Sequence, residues 1–221
     1  MTDSPPTADG SAPNGHQPVM LAETLEALAP RPDGCYLDCT FGRGGHSRAI
    51  LERLGPVGRL IAIDRDPQAV AAGKTLNDPR FVLAQARIST LAGVLDQLAV
   101  PRLDGVLMDL GVSSPQLDDA SRGFSFRAEG PLDMRMDPGS GVSVRQWLGE
   151  ASEQTIAEVL AEYGEERFAV PIAKAIAACV RRDGDGALAT TTELARLVAT
   201  VLRGRRGATV PGRDPATRTF Q

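Results

Sequence analysis

The chain has 221 residues, enough for one large domain or for a core with a smaller inserted one. With 42% hydrophobic and 24% charged residues its composition is not that of a fibrous protein, and no apolar run reaches the roughly 18 residues that a spanning helix needs. A formal net charge of −4 argues against a surface that binds nucleic acid indiscriminately.

The first fifteen residues are rich in proline, serine, aspartate and glycine and lack the basic and apolar regions of a signal peptide. We predict a disordered tail over 1–15. The three cysteines, Cys35, Cys39 and Cys179, are too few and too scattered for a disulfide framework or a zinc site. These features predict a cytoplasmic protein with no metal site.

Short apolar segments alternate with helical patterns between Cys35 and Asp109. Four of these segments are predicted to be buried strands, and a helix is predicted after each of the first three. The predicted strands cover 35–39, 59–64, 80–84 and 103–109, and the predicted helices cover 47–54, 67–76 and 88–98. This alternation predicts an α/β fold with a Rossmann-like parallel sheet and helices on both faces.

A long loop and a helical region follow the fourth strand. The loop runs to about Ser143 and is rich in glycine, serine, proline and aspartate; loops of this length are usually functional or mobile. In the helical region, Ser152 is predicted to be an N-cap, and Thr190 with Glu193 spells a capping box.

We therefore divide the chain into four segments. The tail over 1–15 is followed by a cofactor-binding core over 16–142, a helical insertion over 143–210, and the start of a return to the core over 211–221. No predicted strand follows the helical region. We expect the sheet to be incomplete on its C-terminal side and the chain to be truncated.

The segment after the first strand is a glycine-rich turn with glycines at 42, 44 and 45. Glycines allow positive backbone dihedrals and close ligand approach, and doubly wound sheets bind nucleotides at such a turn. The spacing is tighter than the dinucleotide fingerprint, so a purely structural turn remains an alternative. Asp64 ends the second strand, where an acidic side chain can accept hydrogen bonds from both ribose hydroxyls. Turn and acid together favour an adenosine-containing cofactor, either NAD or S-adenosylmethionine.

Asp109 directly follows the fourth strand and precedes a turn that contains Pro115. Methyltransferases that act on exocyclic amines place an acidic or amide residue there. The lone pair of such an amine is delocalised into the ring, so an acceptor must hold an N–H and attract the positive charge that develops on nitrogen. Asp109 can do this. The alternative is that Asp109 only caps the loop.

These motifs resemble those of the bacterial small-subunit ribosomal RNA cytosine-N4 methyltransferases, the MraW-type family. The resemblance runs from His16 to the last residue. Its motifs are His16 to Met20, Asp64 to Gln68, Asp109 to Asp118, Arg122 to Phe126, Gly130 to Asp137, Tyr163 to Arg167 and Pro215 to Gln221. Similar proteins continue beyond that point with a helix and further strands.

The resemblance implies methyl transfer from S-adenosylmethionine to the N4 amine of a cytidine in the decoding region of small-subunit ribosomal RNA, within an assembled subunit. The chemistry of the exocyclic amine makes Asp109 the predicted catalytic residue. The implied cofactor contacts are Gly44, Gly45 and His46 at the methionine end, Asp64 at the ribose, Ile88 at the adenine, where similar proteins usually carry an aromatic residue, and Asp109 and Gln116 nearer the sulfur. A lone histidine is more often structural than functional, and that alternative stays open for His46.

Two segments are candidates for RNA contact. Residues 122–137 mix Phe124 and Phe126 with Arg127 and Arg135, as single-stranded RNA sites do, although a lid held by its own contacts is the alternative. Between 181 and 218 there are eight arginines and four acids. This excess fits either phosphate contact or a solvated helix face.

Two further functions remain open. A catalytically inactive module that binds RNA or the ribosome would follow from a truncated sheet. An NAD-dependent oxidoreductase has only the glycine turn and Asp64 in its favour.

Overall fold

The computed structural model describes residues 18–203, 205, 212 and 214–221. The predicted tail, His16 and most of 204–213 lie outside the described residues. The chain forms two compact units, Met1–Leu110 and Gly111–Gln221. Residues 111–142, which the sequence pattern assigns to the core, therefore group with the helices.

The first unit is built on a parallel sheet, in which the described strands have the order β3-β2-β1-β4. Its strands are β1 (Cys35–Asp38), β2 (Arg59–Asp64), β3 (Phe81–Gln85) and β4 (Gly105–Leu107). The predicted strands are confirmed, with ends that shift by at most two residues. The Rossmann-like fold class is therefore confirmed.

Helix α1 (Leu21–Leu28) precedes β1, and further helices connect the strands of the first unit. The connecting elements are α2 (Gly45–Leu51), α3 (Pro67–Gly73), a 3₁₀ turn (Ile88–Thr90) and α4 (Leu91–Gln97). The sequence pattern did not predict α1. Helix α3 begins where expected, because the Asp66 side chain accepts the Gln68 N–H and Pro67 occupies the first turn.

Alternate residues of the strands bury opposite faces of the sheet. Tyr36 and Leu60 pack with Ile50 of α2 on one face. Leu37 and Ile61 pack on the other face with side chains of α4. Period-two burial on both faces makes this unit a three-layer α/β/α structure.

The second unit is mainly helical. Its helices are α5 (Ser114–Asp118), α6 (Val144–Glu150), α7 (Glu153–Glu162), α8 (Ala169–Asp183), α9 (Thr191–Leu202) and α10 (Thr217–Phe220), with 3₁₀ turns at Ala120–Arg122 and Gly184–Gly186. The Ser152 cap and the Thr190–Glu193 capping box are confirmed. Among the described residues, no helix is both long enough and apolar enough to cross a membrane.

The segment from 111 to 143 is more ordered than the predicted loop. A capping box formed by Ser113 and Gln116 starts α5, which has five residues. Leu132 is buried in the helical core, and its N–H donates to the Ala189 carbonyl. Helices this short leave no periodic pattern, so only the capping residues signal them.

Candidate functional site

The carboxyl ends of the parallel strands lie at one edge of the sheet. Four predicted site features follow these ends: the glycine turn after β1, Asp64 at the end of β2, Ile88 after β3 and Asp109 after β4. In open α/β sheets, ligands bind at this edge. The fold thus brings together, within the first unit, the residues that the sequence places far apart.

The glycine turn needs glycine at two positions for different reasons. Gly44 has φ +76°, and a Cβ there would lie 2.6 Å from the Phe41 ring. A Cβ on Gly45 would collide with the Pro18 ring. Side chains are therefore excluded where the turn enters α2, because the Phe41 and Pro18 rings already fill the space.

Asp64 fastens the turn to the neighbouring strand. One carboxylate oxygen accepts the Gly42 N–H at 2.8 Å, and the other accepts the Asp66 N–H at 2.8 Å. Burial is the largest influence on the carboxyl and raises the pKa of Asp64. A carboxylate has about four acceptor positions, so both oxygens keep capacity for hydroxyl donors such as a ribose diol.

Asp109 is held by its backbone and leaves its carboxylate accessible. Its N–H donates to Thr40 Oγ1 at 2.9 Å. Its side chain is 53% exposed. A fixed main chain with a free carboxylate suits a group that must meet an incoming substrate.

His46 faces Asp109 from the first turn of α2. Its Nε2 lies 3.8 Å from Asp109 Oδ2, and the His46 side chain is only 9% exposed. Its Nδ1 is buried and has no hydrogen-bond partner in the described structure. Buried polar atoms are rarely left unpaired, so His46 retains hydrogen-bonding capacity for a ligand.

Ile88 opens the 3₁₀ turn after β3 and is 38% exposed. Exposed aliphatic side chains occur singly on most proteins. At the carboxyl edge of the sheet, however, this one offers an apolar contact. The predicted role at an adenine ring remains a prediction.

Gln116 belongs to the second unit. It is buried, and its side-chain oxygen accepts the Ser113 N–H at 2.9 Å. This bond caps α5. The structure gives Gln116 a structural role there, and its predicted cofactor contact remains a prediction.

Several side chains of the predicted substrate segment are engaged within the second unit. Arg122 is buried and donates to the carbonyls of Arg135 and Met136 at 3.1 and 2.8 Å. Arg135 forms a two-point pair with Asp133. The Phe126 ring lies 4.7 Å from the Phe220 ring. Arg127 is exposed.

The arginine-rich region is divided between internal contacts and solvent. Arg206 and Arg213 lie outside the described residues. Arg182 pairs with Asp183 at 2.6 Å, and Arg218 donates to the Glu165 carbonyl at 3.0 Å. The exposed arginines of this region that lie away from α10 are Arg181, Arg182, Arg196, Arg203 and Arg205.

Sequence reasoning missed Asp38 and Thr40. Asp38 is buried at the end of β1, and its carboxylate accepts hydrogen bonds from Ser47 Oγ and from the Thr40 N–H. The signal was an aspartate and a threonine just before the glycine turn. It could not be interpreted, because the bond from Thr40 to Asp109 joins positions 69 residues apart.

A parallel sheet with a glycine turn after β1 and an acid at the end of β2 defines a Rossmann-like α/β protein with a nucleotide-cofactor edge. The model of the MraW methylase family matches residues 14–221. The chain belongs to the MraW methylase family.

Similar proteins carry the name ribosomal RNA small subunit methyltransferase H. The protein from Azoarcus sp. is 59% identical over 211 residues, 96% of this chain and 65% of its own length. The protein from Thiobacillus denitrificans is 56% identical, covering 93% of this chain and 64% of the relative. The Cupriavidus metallidurans protein is 54% identical, covering 99% and 66%. The chain thus spans just under two thirds of the length of these relatives.

Proposed function

We propose that this chain takes part in S-adenosylmethionine-dependent methylation of the N4 amine of a cytidine in the decoding region of small-subunit ribosomal RNA. The observation that carries the proposal is the accessible carboxylate of Asp109 at the sheet edge that also holds Asp64 and His46. Family membership supports methyl transfer, and the names of the relatives support ribosomal RNA as the substrate.

The residues at the sheet edge fit the cofactor. Asp64 has acceptor capacity for a ribose diol, and the buried Nδ1 of His46 lacks a partner that a bound polar group can provide. Gly44 and Gly45 let the turn form without steric clashes, and Ile88 offers an apolar contact for a base. The same turn and acid also fit NAD, but the family match favours S-adenosylmethionine.

Asp109 performs the step that the chemistry requires of the protein. When bound, S-adenosylmethionine supplies a methyl group on a positively charged sulfur. The Asp109 carboxylate accepts an N–H of the cytosine amine, orients its lone pair, and takes up the proton that the nitrogen loses as it gains the methyl group. Its negative charge stabilises the positive charge that develops on nitrogen, and alignment of the amine supplies further rate enhancement.

We assign RNA contact to the second unit. Exposed arginines on α8 and α9 and just after α9, among them Arg181, Arg196 and Arg203, offer charge to phosphates. Arg127 extends the assignment to the predicted substrate segment. The proposed partner is the assembled small subunit, because there the ribosomal RNA is folded around the decoding-region cytidine.

Calorimetric titration with S-adenosylmethionine, and with S-adenosylhomocysteine as the product control, is the first test. The second is transfer of a labelled methyl group to small subunits that lack the modification, followed by nucleoside analysis. N4-methylcytidine is the expected product. A methyl group on another atom contradicts the N4 assignment, and cofactor binding without transfer favours the inactive RNA-binding module.

Asp109→Asn separates the catalytic role from cofactor binding. It keeps the size and one acceptor oxygen but loses the charge, so we expect a methyl-transfer rate about 100-fold lower. The affinity for S-adenosylmethionine is expected to change far less. Asp96→Asn, on the exposed face of α4, is the matched control and should retain wild-type activity. Full activity in Asp109→Asn would remove Asp109 from the mechanism.

A further inference from the structure

A short chain of hydrogen bonds joins the buried end of β1 to Asp109. Asp38 is 1% exposed. One of its carboxylate oxygens accepts the Ser47 hydroxyl at 2.7 Å. The other accepts the Thr40 N–H at 3.0 Å and lies 3.4 Å from Thr40 Oγ1.

Thr40 links this set of hydrogen bonds to Asp109. The backbone pairing of β1 with β4 extends to the bond from the Cys39 N–H to the Leu107 carbonyl. At Asp109, two residues beyond Leu107, the backbone N–H no longer donates to a β1 carbonyl. It donates to Thr40 Oγ1 at 2.9 Å. The main chain of Asp109 is therefore tied to β1 through one hydroxyl group.

The direction of the Thr40 hydroxyl is set by Asp38. A hydroxyl that accepts the Asp109 N–H must point its own proton elsewhere, and the Asp38 carboxylate is the acceptor on that side. Ser47 occupies the other Asp38 oxygen, which keeps the carboxylate from rotating. Connected polar networks of this kind rigidify the groups at their ends.

We propose that Thr40 is a positioning residue for Asp109 and that Asp38 fixes the orientation of Thr40. The inference rests on the proposed function, since it takes Asp109 as the group that meets the amine. Thr40 acts through the Asp109 main chain, so its loss should displace the carboxylate while Asp64 keeps its own bonds. Displacements of about 1 Å at a reacting group can cost on the order of 100-fold in rate.

The test replaces the hydroxyl without changing the shape of the side chain. In Thr40→Val, hydrogen exchange of the Asp109 amide, followed by NMR, is expected to be about fivefold faster. The kcat for methyl transfer is expected to fall by about tenfold or more, with the Kd for S-adenosylmethionine within about threefold of wild type. Thr40→Ser restores the hydroxyl and should recover both the exchange rate and kcat.

Two further variants keep the test decisive. Thr75→Val removes an exposed hydroxyl that bonds only to the Ala72 carbonyl nearby, and both readouts should stay at wild-type values. Asp38→Ala removes both acceptor oxygens and should also speed exchange of the Asp109 amide, so it replaces Thr40→Val if that variant does not fold.

Unchanged Asp109 exchange in these variants overturns the proposal. So does a loss of cofactor affinity as large as the loss of kcat, because Thr40 would then act on cofactor binding. If the wild-type protein transfers no methyl group, the proposed function fails and the catalytic role of Thr40 fails with it. The exchange measurement still shows in that case whether Thr40 holds Asp109.

Discussion

His46 Nε2 lies 3.8 Å from Asp109 Oδ2, while the second ring nitrogen of His46 is buried without a partner in the described structure. A histidine kept only for stability would have both nitrogens paired or solvated. The buried, unpaired Nδ1 instead costs folding free energy. Such a cost is characteristic of a ligand-binding position.

His46→Leu should therefore separate stability from binding. Removing an unpaired buried nitrogen is expected to leave the free energy of unfolding unchanged or to raise it by about 1 kcal/mol. The affinity for S-adenosylmethionine should fall by about tenfold. Chemical denaturation and calorimetric titration measure the two effects. A large loss of stability with unchanged affinity would show that His46 is structural.

The buried carboxylate of Asp38 makes stability depend on pH. Burial is the largest influence and raises the pKa of Asp38, opposed by the bonds from Ser47 and Thr40. The folded state thus holds the proton more tightly than the unfolded state. The stability that Asp38 contributes is present below the ordinary aspartate pKa and is lost as the pH rises through the raised value.

Asp38→Asn lacks this proton equilibrium. The free energy of unfolding of the variant relative to the wild type should therefore rise with pH across that window. Urea denaturation of both proteins from about pH 3 to about pH 7 checks this. A difference that stays constant with pH would mean that burial does not perturb Asp38.

Two glycines of the first unit should respond in opposite directions to alanine. Gly44→Ala forces a side chain into positive φ and against Phe41, so stability should fall by about 1–2 kcal/mol and cofactor affinity should fall too. Gly93 lies within α4 with open space around its Cβ position, and Gly93→Ala should raise stability by about 0.5–1 kcal/mol. Thermal unfolding measures the stability of both variants, and calorimetry measures the cofactor affinity of Gly44→Ala. Equal changes in stability for the two variants would contradict the conformational requirement at Gly44.

Arg122 and Arg127 separate a structural arginine from an RNA contact. Arg122→Ala leaves two carbonyls without their donor in a buried position, so the free energy of unfolding should fall by about 2–3 kcal/mol. Arg127→Ala should leave stability within about 0.5 kcal/mol of wild type and weaken RNA binding, more so at low salt. The test is RNA affinity measured at two salt concentrations. An unaltered RNA affinity of Arg127→Ala would show that Arg127 does not contact RNA.

The fold of the first unit follows from short-range patterns. Apolar strands, the Asp66 cap and Pro67 are visible within a few residues of sequence, and they predict the parallel sheet. The segment from 111 to 143 does not follow from such patterns. Leu132 enters the helical core through a bond to Ala189, a long-range contact that leaves no periodic signal.

A candidate site residue can be predicted where its residue type suggests a chemical role. Asp64 and Asp109 are acids at strand ends, and Gly44 and Gly45 stand in the turn after β1, so the sequence alone marks them as candidates. Thr40 was missed because its role depends on which strand lies beside β1. The role of Arg122 was not predictable either, because the sequence does not distinguish a buried arginine from an exposed one. The role of Phe126 was not predictable because its partner Phe220 is distant in sequence.

The contact between Phe126 and Phe220 has a consequence for how the second unit is connected. It joins the opening third of the unit to its last helix, and Gly164 adds a second close approach, since a Cβ there would meet the Arg218 carbonyl. Both contacts hold α10 against earlier parts of the same unit. Because a helix of four residues is not stable by itself, the order of α10 depends on these tertiary contacts.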